Sequence, residues 1–150
     1  MSIAWSLDRW KKIKEDYRQW WAGELERPLI QVTLSERDPG RPEPQLTRRG
    51  FWSAYDESIP AETIIDLMDY DLGKNIYLGD AFPNMWPNFG PGVLAPFIGG
   101  RLENAEDGST AWFLPAKPQE ISELHFQYLP DEYWLNRIKD IYCLLYTSDA

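Results

Sequence analysis

Residues 80–100, DAFPNMWPNFGPGVLAPFIGG, constrain the fold more than any other stretch of the chain. They hold four glycines and four prolines in twenty-one residues. Glycine reaches backbone dihedrals that other residues avoid, and proline fixes φ and lacks an N–H donor, so this density excludes a long regular element. We expect a rigid loop here, which passes into a short helix that begins at Pro91 and ends at Gly99.

Amphipathic helices are predicted on both sides of this loop. Apolar residues three and four apart predict a helix over 6–26 with Ser6 as its N-cap. The same spacing predicts helices over 60–70, with Ser58 as a possible N-cap, and over 130–146. The apolar residues of the first helix are expected to form its buried face: Trp10, Ile13, Tyr17, Trp20 or Trp21, and Leu25.

Two short segments between the helices predict strands, the first half-buried or buried and the second buried. Residues 29–34 and 75–82 are apolar and rich in β-branched or aromatic residues, whereas 36–50 has the proline and charge content of an extended loop. Asp107-Gly108 between two strand-like arms predicts a β-hairpin. Helices that alternate with strands favour an α/β fold with right-handed crossover connections. Two central strands are too few to close a barrel, since an eight-stranded barrel takes about 250 residues.

The composition excludes several classes of function. The net charge of -9 disfavours a nucleic-acid or anionic-membrane partner, because either needs a basic face. No stretch has the length of a spanning helix or the apolar core of a signal peptide, so a cytoplasmic protein is expected. A single cysteine, Cys143, allows no internal disulfide, and with the single histidine, His125, it cannot build a His- or Cys-rich metal site. We therefore expect no metal within this chain, and we expect His125 to be a surface or packing residue.

Four segments of the chain resemble one known family. They are DRWKKIKEDYRQWWAGELERPLIQVT (8–33), GDAFPNMWPNFGPGVLAPFIGG (79–100), TAWFLP (110–115) and LPDEYWLNRIKDIY (129–142). Together they resemble the N-terminal part of uroporphyrinogen decarboxylase-like proteins, in the branch grouped with corrinoid-dependent methyltransferases. The resemblance covers residues 8 to about 142, and we therefore assign 1–142 to a partial barrel domain. Residues 143–150, CLLYTSDA, resemble a translated sequencing-adapter tail of the kind found at the ends of metagenomic fragments, and we expect them to be non-native.

The resemblance implies a fold and an activity for the whole protein. The fold implied is an α/β fold, the N-terminal portion of a (β/α)8 TIM barrel with an N-terminal amphipathic helix and an inserted β-hairpin. Members of the family decarboxylate a tetrapyrrole or move a methyl group between a corrinoid cofactor and a thiol or amine-derived substrate. In the methyltransferases, zinc held by later His and Cys ligands activates the thiol. The segment 26–39 lacks the arginine cluster of the decarboxylases, which favours methyl transfer.

The loop after the second predicted strand supplies the candidate site residues, since strand C-termini carry the site in α/β folds. Asp80 is the catalytic candidate, as a carboxylate that accepts a substrate hydrogen bond or acts as a base, with loop ordering as its alternative role. Asn84 and Asn88 are substrate-binding candidates, although asparagine in such turns also bonds its own backbone. Phe82 and Trp86 are candidates for an apolar wall against a flat ligand, with packing as the alternative.

A second class of function stays open from the sequence. The eight tryptophans also suit a non-catalytic, aromatic-rich module that stacks on a sugar or flat ligand. Such a module needs several exposed tryptophans on one face.

The expected partners of the enzyme are a small-molecule substrate and a corrinoid protein. This part of the enzyme alone is expected to be inactive.

Overall fold

The computed structural model of the chain describes residues 3, 5–123 and 125–147. Helices and strands alternate along it, together with two short 3-10 helices at Trp52–Ala54 and Ile121–Glu123. The elements are α1 (Leu7–Ala22), β1 (Gln31–Ser35), α2 (Ala61–Gly73), β2 (Asn75–Gly79), α3 (Leu94–Phe97), β3 (Gly100–Asn104), β4 (Ala111–Pro115) and α4 (Tyr133–Thr147). The mixed α and β content expected from the sequence is confirmed, with the strands in two small antiparallel sheets.

The chain forms two compact units, and each contains two segments of the sequence. Unit 1 consists of Met1–Gln45 and Asp66–Met85. Unit 2 consists of Leu46–Ile65 and Trp86–Ala150. Helix α2 contributes residues to both units.

Helix α1 of unit 1 begins where its cap was predicted. The Ser6 hydroxyl accepts the N–H of Arg9 at 3.2 Å, and Gly23 ends the helix in the left-handed conformation with φ 72°. The predicted buried face is wrong for most of its length, because Ile13 is the helix's buried residue while Trp20 and Trp21 are 45% and 78% exposed.

Strands β1 and β2 of unit 1 pair antiparallel, with Gln31 opposite Gly79 and Ser35 opposite Asn75. The predicted crossover between these two strands is therefore wrong. The antiparallel pairing follows from contacts at the end of α2, where the Lys74 carbonyl accepts the N–H groups of Glu36 and Arg37 at 3.2 and 2.9 Å. The chain thus enters β2 beside the end of β1 and has to run back along it.

The predicted burial of these two strands is also wrong for their apolar face. Opposite residues of an antiparallel pair lie on the same face of the sheet, which places Val32 beside Leu78 and Leu34 beside Ile76. These four side chains are between 40% and 49% exposed, whereas Tyr77 on the other face is buried. We call these four residues the open apolar face of unit 1.

Helix α2 buries the face that its spacing predicts, with Ile64 and Leu67 fully buried. Ser58 is not its cap. The Ser58 N–H instead donates to the Asp56 carboxylate at 2.9 Å, in a turn before the helix.

Unit 2 contains the predicted hairpin and the predicted last helix. Strands β3 and β4 flank Asp107-Gly108, and Gly108 takes the positive φ of 69° that such a turn requires. A partly buried polar pair ties β3 to the first 3-10 helix. The Ser53 hydroxyl donates to the Asn104 amide oxygen, and the Asn104 amide nitrogen donates to the Ser53 carbonyl, both at 2.7 Å. Helix α4 buries Ile141 completely.

Helix α4 includes residues 143–147 of the predicted non-native tail, and 148–150 lie outside the described residues. The foreign origin of the tail stays a prediction. Within the described ranges, every helix is too short or too polar to cross a bilayer.

Candidate functional site

Asp80 follows directly on β2, at the turn made by Gly79. Gly79 has φ 61°, and a Cβ on it would lie 2.3 Å from the Ile30 carbonyl oxygen, so the position requires glycine. The backbone of Asp80 is fixed by the same carbonyl, which accepts its N–H at 2.7 Å. The chain thus holds the Asp80 side chain in one place at the strand end.

The carboxylate of Asp80 is buried and hydrogen-bonded at both oxygens. Arg27 donates to it twice, from Nη1 to Oδ2 at 2.6 Å and from Nη2 to Oδ1 at 2.7 Å. The Ile30 N–H donates to Oδ2 at 2.8 Å. Paired N–H donors of this geometry make the strongest type of arginine–carboxylate contact.

Arg27 extends this contact to helix α1. Its Nη2 also donates to Asp16 at 2.8 Å, and its Nη1 donates to the Pro28 carbonyl at 3.0 Å. One guanidinium therefore joins α1, the start of β1 and the loop after β2. The sequence carries no local signal for this contact, because Arg27 and its partner Asp80 are 53 residues apart.

The Arg27 hydrogen bonds set the charge state of Asp80. They hold its pKa at about 2, against the opposing effect of burial, and the Ile30 N–H lowers the pKa further. A carboxylate this acidic stays ionised at neutral pH and is a weak base. The contacts with Arg27 and Ile30 match the loop-ordering role expected as the alternative for Asp80. Its catalytic role stays a prediction.

Phe82 and Asn84 are also in unit 1, but they do not share the contacts of Asp80. The Phe82 ring packs against Trp10 with centroids 5.5 Å apart and against Tyr17 at 5.7 Å, nearly edge-on. Asn84 is exposed. Phe82 thus joins an aromatic cluster with α1, which is the packing alternative for this residue.

Trp86 and Asn88 belong to unit 2 and line a cavity of about 420 Å³. Its walls come from the proline-rich loop, from α3 and from α4, and we call it the aromatic cavity. The lining residues are Trp86, Pro87, Asn88, Phe89, Gly90, Pro91, Val93, Phe97, Ile138 and Tyr142. None of these ten carries a charge.

Asn88 makes the wall of the aromatic cavity rigid. Its amide nitrogen donates to the Gly50 carbonyl at 3.0 Å, and its amide oxygen accepts the N–H of Gly90 at 3.1 Å. Its own carbonyl accepts the N–H of Trp52 at 2.7 Å. The amide therefore orders the loop, as asparagine in such turns does, while Trp86 beside it is 80% exposed.

The structure brings together only part of the predicted site. Trp86 and Asn88 share the aromatic cavity of unit 2, whereas Asp80 and Phe82 have separate surroundings in unit 1. Phe97, Ile138 and Tyr142 were not predicted for the site. The spacing of four between Ile138 and Tyr142 places them on one face of α4, and this was the available signal.

The described residues contain no group of three or more His, Cys, Asp or Glu side chains arranged to hold a metal ion. We find no significant match to this chain among family models, curated proteins or solved structures. A function therefore has to be inferred from the residues of the chain itself.

Proposed function

We propose that the chain is the N-terminal part of a uroporphyrinogen decarboxylase-like enzyme, built on a (β/α)8 barrel, that transfers a methyl group between a corrinoid cofactor and a thiol or amine-derived substrate. The aromatic cavity is the observation that carries this proposal. Two of the four segments that resemble the family supply its walls, since Trp86 and Phe97 lie in 79–100 while Ile138 and Tyr142 lie in 129–142. The resembling segments thus contribute to one site.

The lining of the cavity suits the apolar face of a flat ligand. Its volume lies within the roughly 300–1,000 Å³ typical of small-molecule sites. Aromatic side chains offer large planar areas for contact, and Trp86 is exposed enough to meet a ligand that reaches beyond the cavity. A corrin ring would place one edge or face against this wall.

The charge of the site favours methyl transfer over tetrapyrrole decarboxylation. A tetrapyrrole substrate of the decarboxylases carries several carboxylates, and these need arginine or lysine partners. The aromatic cavity has no cationic lining residue, and the chain as a whole carries a net charge of -9. Binding a polyanion here would therefore be opposed by charge.

The open apolar face of unit 1 supports the barrel as the complete fold. Val32, Leu34, Ile76 and Leu78 leave contiguous apolar surface in contact with water. Such a face is normally covered by another element of the same fold. In the proposed enzyme, later segments of the barrel cover it and also supply the His and Cys ligands of the zinc ion.

Exposed tryptophans favour a second candidate function, the non-catalytic binding module. Trp21, Trp86 and Trp112 are 78%, 80% and 60% exposed. Trp21 lies in unit 1 on α1 beside Trp20, which is 45% exposed, with the two ring centroids 4.9 Å apart. Trp86 on the proline-rich loop and Trp112 on β4 lie in unit 2. A sugar-stacking surface would therefore be centred on the Trp20–Trp21 pair in unit 1 or on Trp86 in unit 2.

Calorimetric titration of the chain with hydroxocobalamin tests the proposal. We expect binding, and we expect Trp86→Ala to weaken it about tenfold, the loss typical of a central aromatic contact. Trp21→Ala is the matched control, because Trp21 is equally exposed and lies outside the cavity. Equal losses in the two variants, or no binding of the corrinoid, would contradict the proposal. Tighter binding of uroporphyrin would favour decarboxylation, and binding of an oligosaccharide through Trp86 would favour the binding module.

A further inference from the structure

Unit 2 contains a second concave site, separate from the aromatic cavity. It is a groove of about 510 Å³ between the first 3-10 helix, the tip of the β3–β4 hairpin and the start of α4. The residues that give it its chemistry are Arg49, Asp56, Glu57, Glu106, Tyr133 and Trp134. We call it the acidic groove, and it shares no residue with the aromatic cavity.

The groove carries an excess of negative charge. Asp56, Glu57 and Glu106 face a single cationic side chain, Arg49. Hydrogen bonds with the Ser58 side chain and with the Ser58 N–H lower the pKa of Asp56, so its carboxylate is ionised at neutral pH. In the described part of the chain, neither Glu57 nor Glu106 forms an ion pair.

Arg49 does not cancel this excess. Its Nη1 donates to the Asp107 carbonyl at 3.2 Å, which holds the guanidinium against the hairpin tip. Its side chain also lies against Gly108, where an added Cβ would be 3.0 Å from the Arg49 Cδ. The residues that line the groove thus include three carboxylates and one guanidinium.

Two aromatic rings also line the groove. Tyr133 and Trp134 make an edge-to-face pair with centroids 4.9 Å apart and an interplanar angle of 74°. Burial raises the pKa of Tyr133, the nearby Arg137 guanidinium lowers it, and the carboxylates of Glu57 and Asp56 raise it. Tyr133 is therefore a neutral ring within reach of two negative charges, and ring faces attract cations in such settings.

Tyr55 adds a buried hydroxyl to the same groove. It is 3% exposed, and its oxygen accepts the N–H of Arg49 at 3.2 Å. Within the described residues its hydroxyl proton has no acceptor. A buried hydroxyl proton is normally hydrogen-bonded to an acceptor. An oxygen atom of a bound ligand would supply this acceptor for Tyr55.

We propose that the acidic groove binds a small organic cation, an alkylated ammonium ion that also carries an oxygen acceptor. Carboxylates and ring faces together recognise a charge that is spread over methyl groups, because such a cation loses little hydration when it enters an aromatic site. The oxygen of the ligand then accepts the Tyr55 hydroxyl proton. This inference does not depend on the enzyme proposed above, since the aromatic cavity plays no part in it.

Calorimetric titration of the full chain with choline, at low ionic strength, tests the inference. Choline supplies both groups, and dimethylbutanol is its neutral isostere, in which carbon replaces the ammonium nitrogen. We expect choline to bind at least about tenfold more tightly than the isostere, and added salt to weaken its binding. The double variant Glu57→Gln, Glu106→Gln should weaken choline binding about fivefold or more. Tyr133→Leu should weaken it about threefold.

The control variant is Asp131→Asn, which removes an exposed carboxylate close to α4 but outside the groove. It should bind choline as the unchanged chain does. Circular dichroism would show whether each variant keeps its helices. The inference is overturned if choline does not bind, if the isostere binds equally well, or if Asp131→Asn loses as much affinity as the double glutamine variant.

Discussion

Replacing Asp80 by asparagine tests the role of the buried ion pair in unit 1. The substitution keeps the size of the side chain and removes its charge. In the unchanged chain the Arg27 donors lie 2.6 and 2.7 Å from the two carboxylate oxygens. The substitution replaces one of these acceptor oxygens by an NH₂ group that faces the guanidinium. The contact that joins α1 to the loop after β2 is thereby weakened, while the Ile30 N–H can still donate to the remaining amide oxygen.

The pKa of Asp80 gives the size of the expected effect. A fall from an unfolded value near 3.9 to about 2 corresponds to at most about 2.6 kcal/mol of folding free energy at neutral pH. Arg27 is 42% exposed, so solvent screens part of this interaction. We therefore expect Asp80→Asn to lower the free energy of unfolding by about 1–2 kcal/mol at pH 7.

The effect has a defined dependence on pH. Because the pKa of Asp80 is lower in the folded than in the unfolded chain, its stabilisation is fully present above pH 4 and is lost as the pH falls through about 2. The difference between Asp80→Asn and the unchanged chain should therefore shrink to about half at pH 3. A difference that grew on acidification would have the wrong sign for a lowered pKa.

Urea unfolding followed by tryptophan fluorescence at pH 7 and pH 3 measures this difference. Glu26→Gln is the control, since Glu26 is an exposed carboxylate next to Arg27 in sequence, and in the described residues the ion pairs of Arg27 are with Asp16 and Asp80. If Asp80→Asn destabilises the chain no more than this control, the anchoring role of the ion pair is refuted. Loss of activity in the whole enzyme without loss of stability would instead favour the predicted catalytic role.

Two further substitutions test the packing of unit 2 by thermal unfolding. Gly92→Ala should cost about 1–3 kcal/mol, because the added Cβ would lie 2.5 Å from the Phe113 ring, whereas Gly50→Ala has 3.8 Å of room and should be tolerated. Asn104→Ala should lower the free energy of unfolding by about 1–3 kcal/mol, because it leaves the buried Ser53 hydroxyl without its acceptor at 2.7 Å. A loss of stability no larger than that of Gly50→Ala would show that the Ser53–Asn104 pair contributes little.

The elements that the sequence predicts well are those with local signals. Ser6 caps α1 through a residue three positions away, and Asp107-Gly108 forms its turn from adjacent residues. The direction of β2 has no such signal. It depends on the Lys74 carbonyl, which meets the end of β1 across a long connection. Burial of β1 depends in the same way on whether another element covers Val32.

The candidate site shows the same limit. Trp86 and Asn88 could be predicted from the density of glycine and proline around them, since such a loop places its side chains rigidly. For Tyr142 the spacing of four from Ile138 indicates only a shared helix face, and its place in the aromatic cavity depends on the packing of α4 in unit 2. Arg27 could not be predicted, as arginine at a helix end is common and its partner is distant in sequence.

The interleaving of the two units has a consequence for synthesis on the ribosome. Ser35 and its partner Asn75 are 40 residues apart, so at about 5–20 residues per second β1 waits roughly 2–8 seconds for β2 to emerge. During that interval its edge and the apolar Val32 and Leu34 are open to other chains. The β3–β4 hairpin has no such delay. Translation speed between β1 and β2, rather than through the hairpin, should therefore govern how much of the chain escapes aggregation during its synthesis.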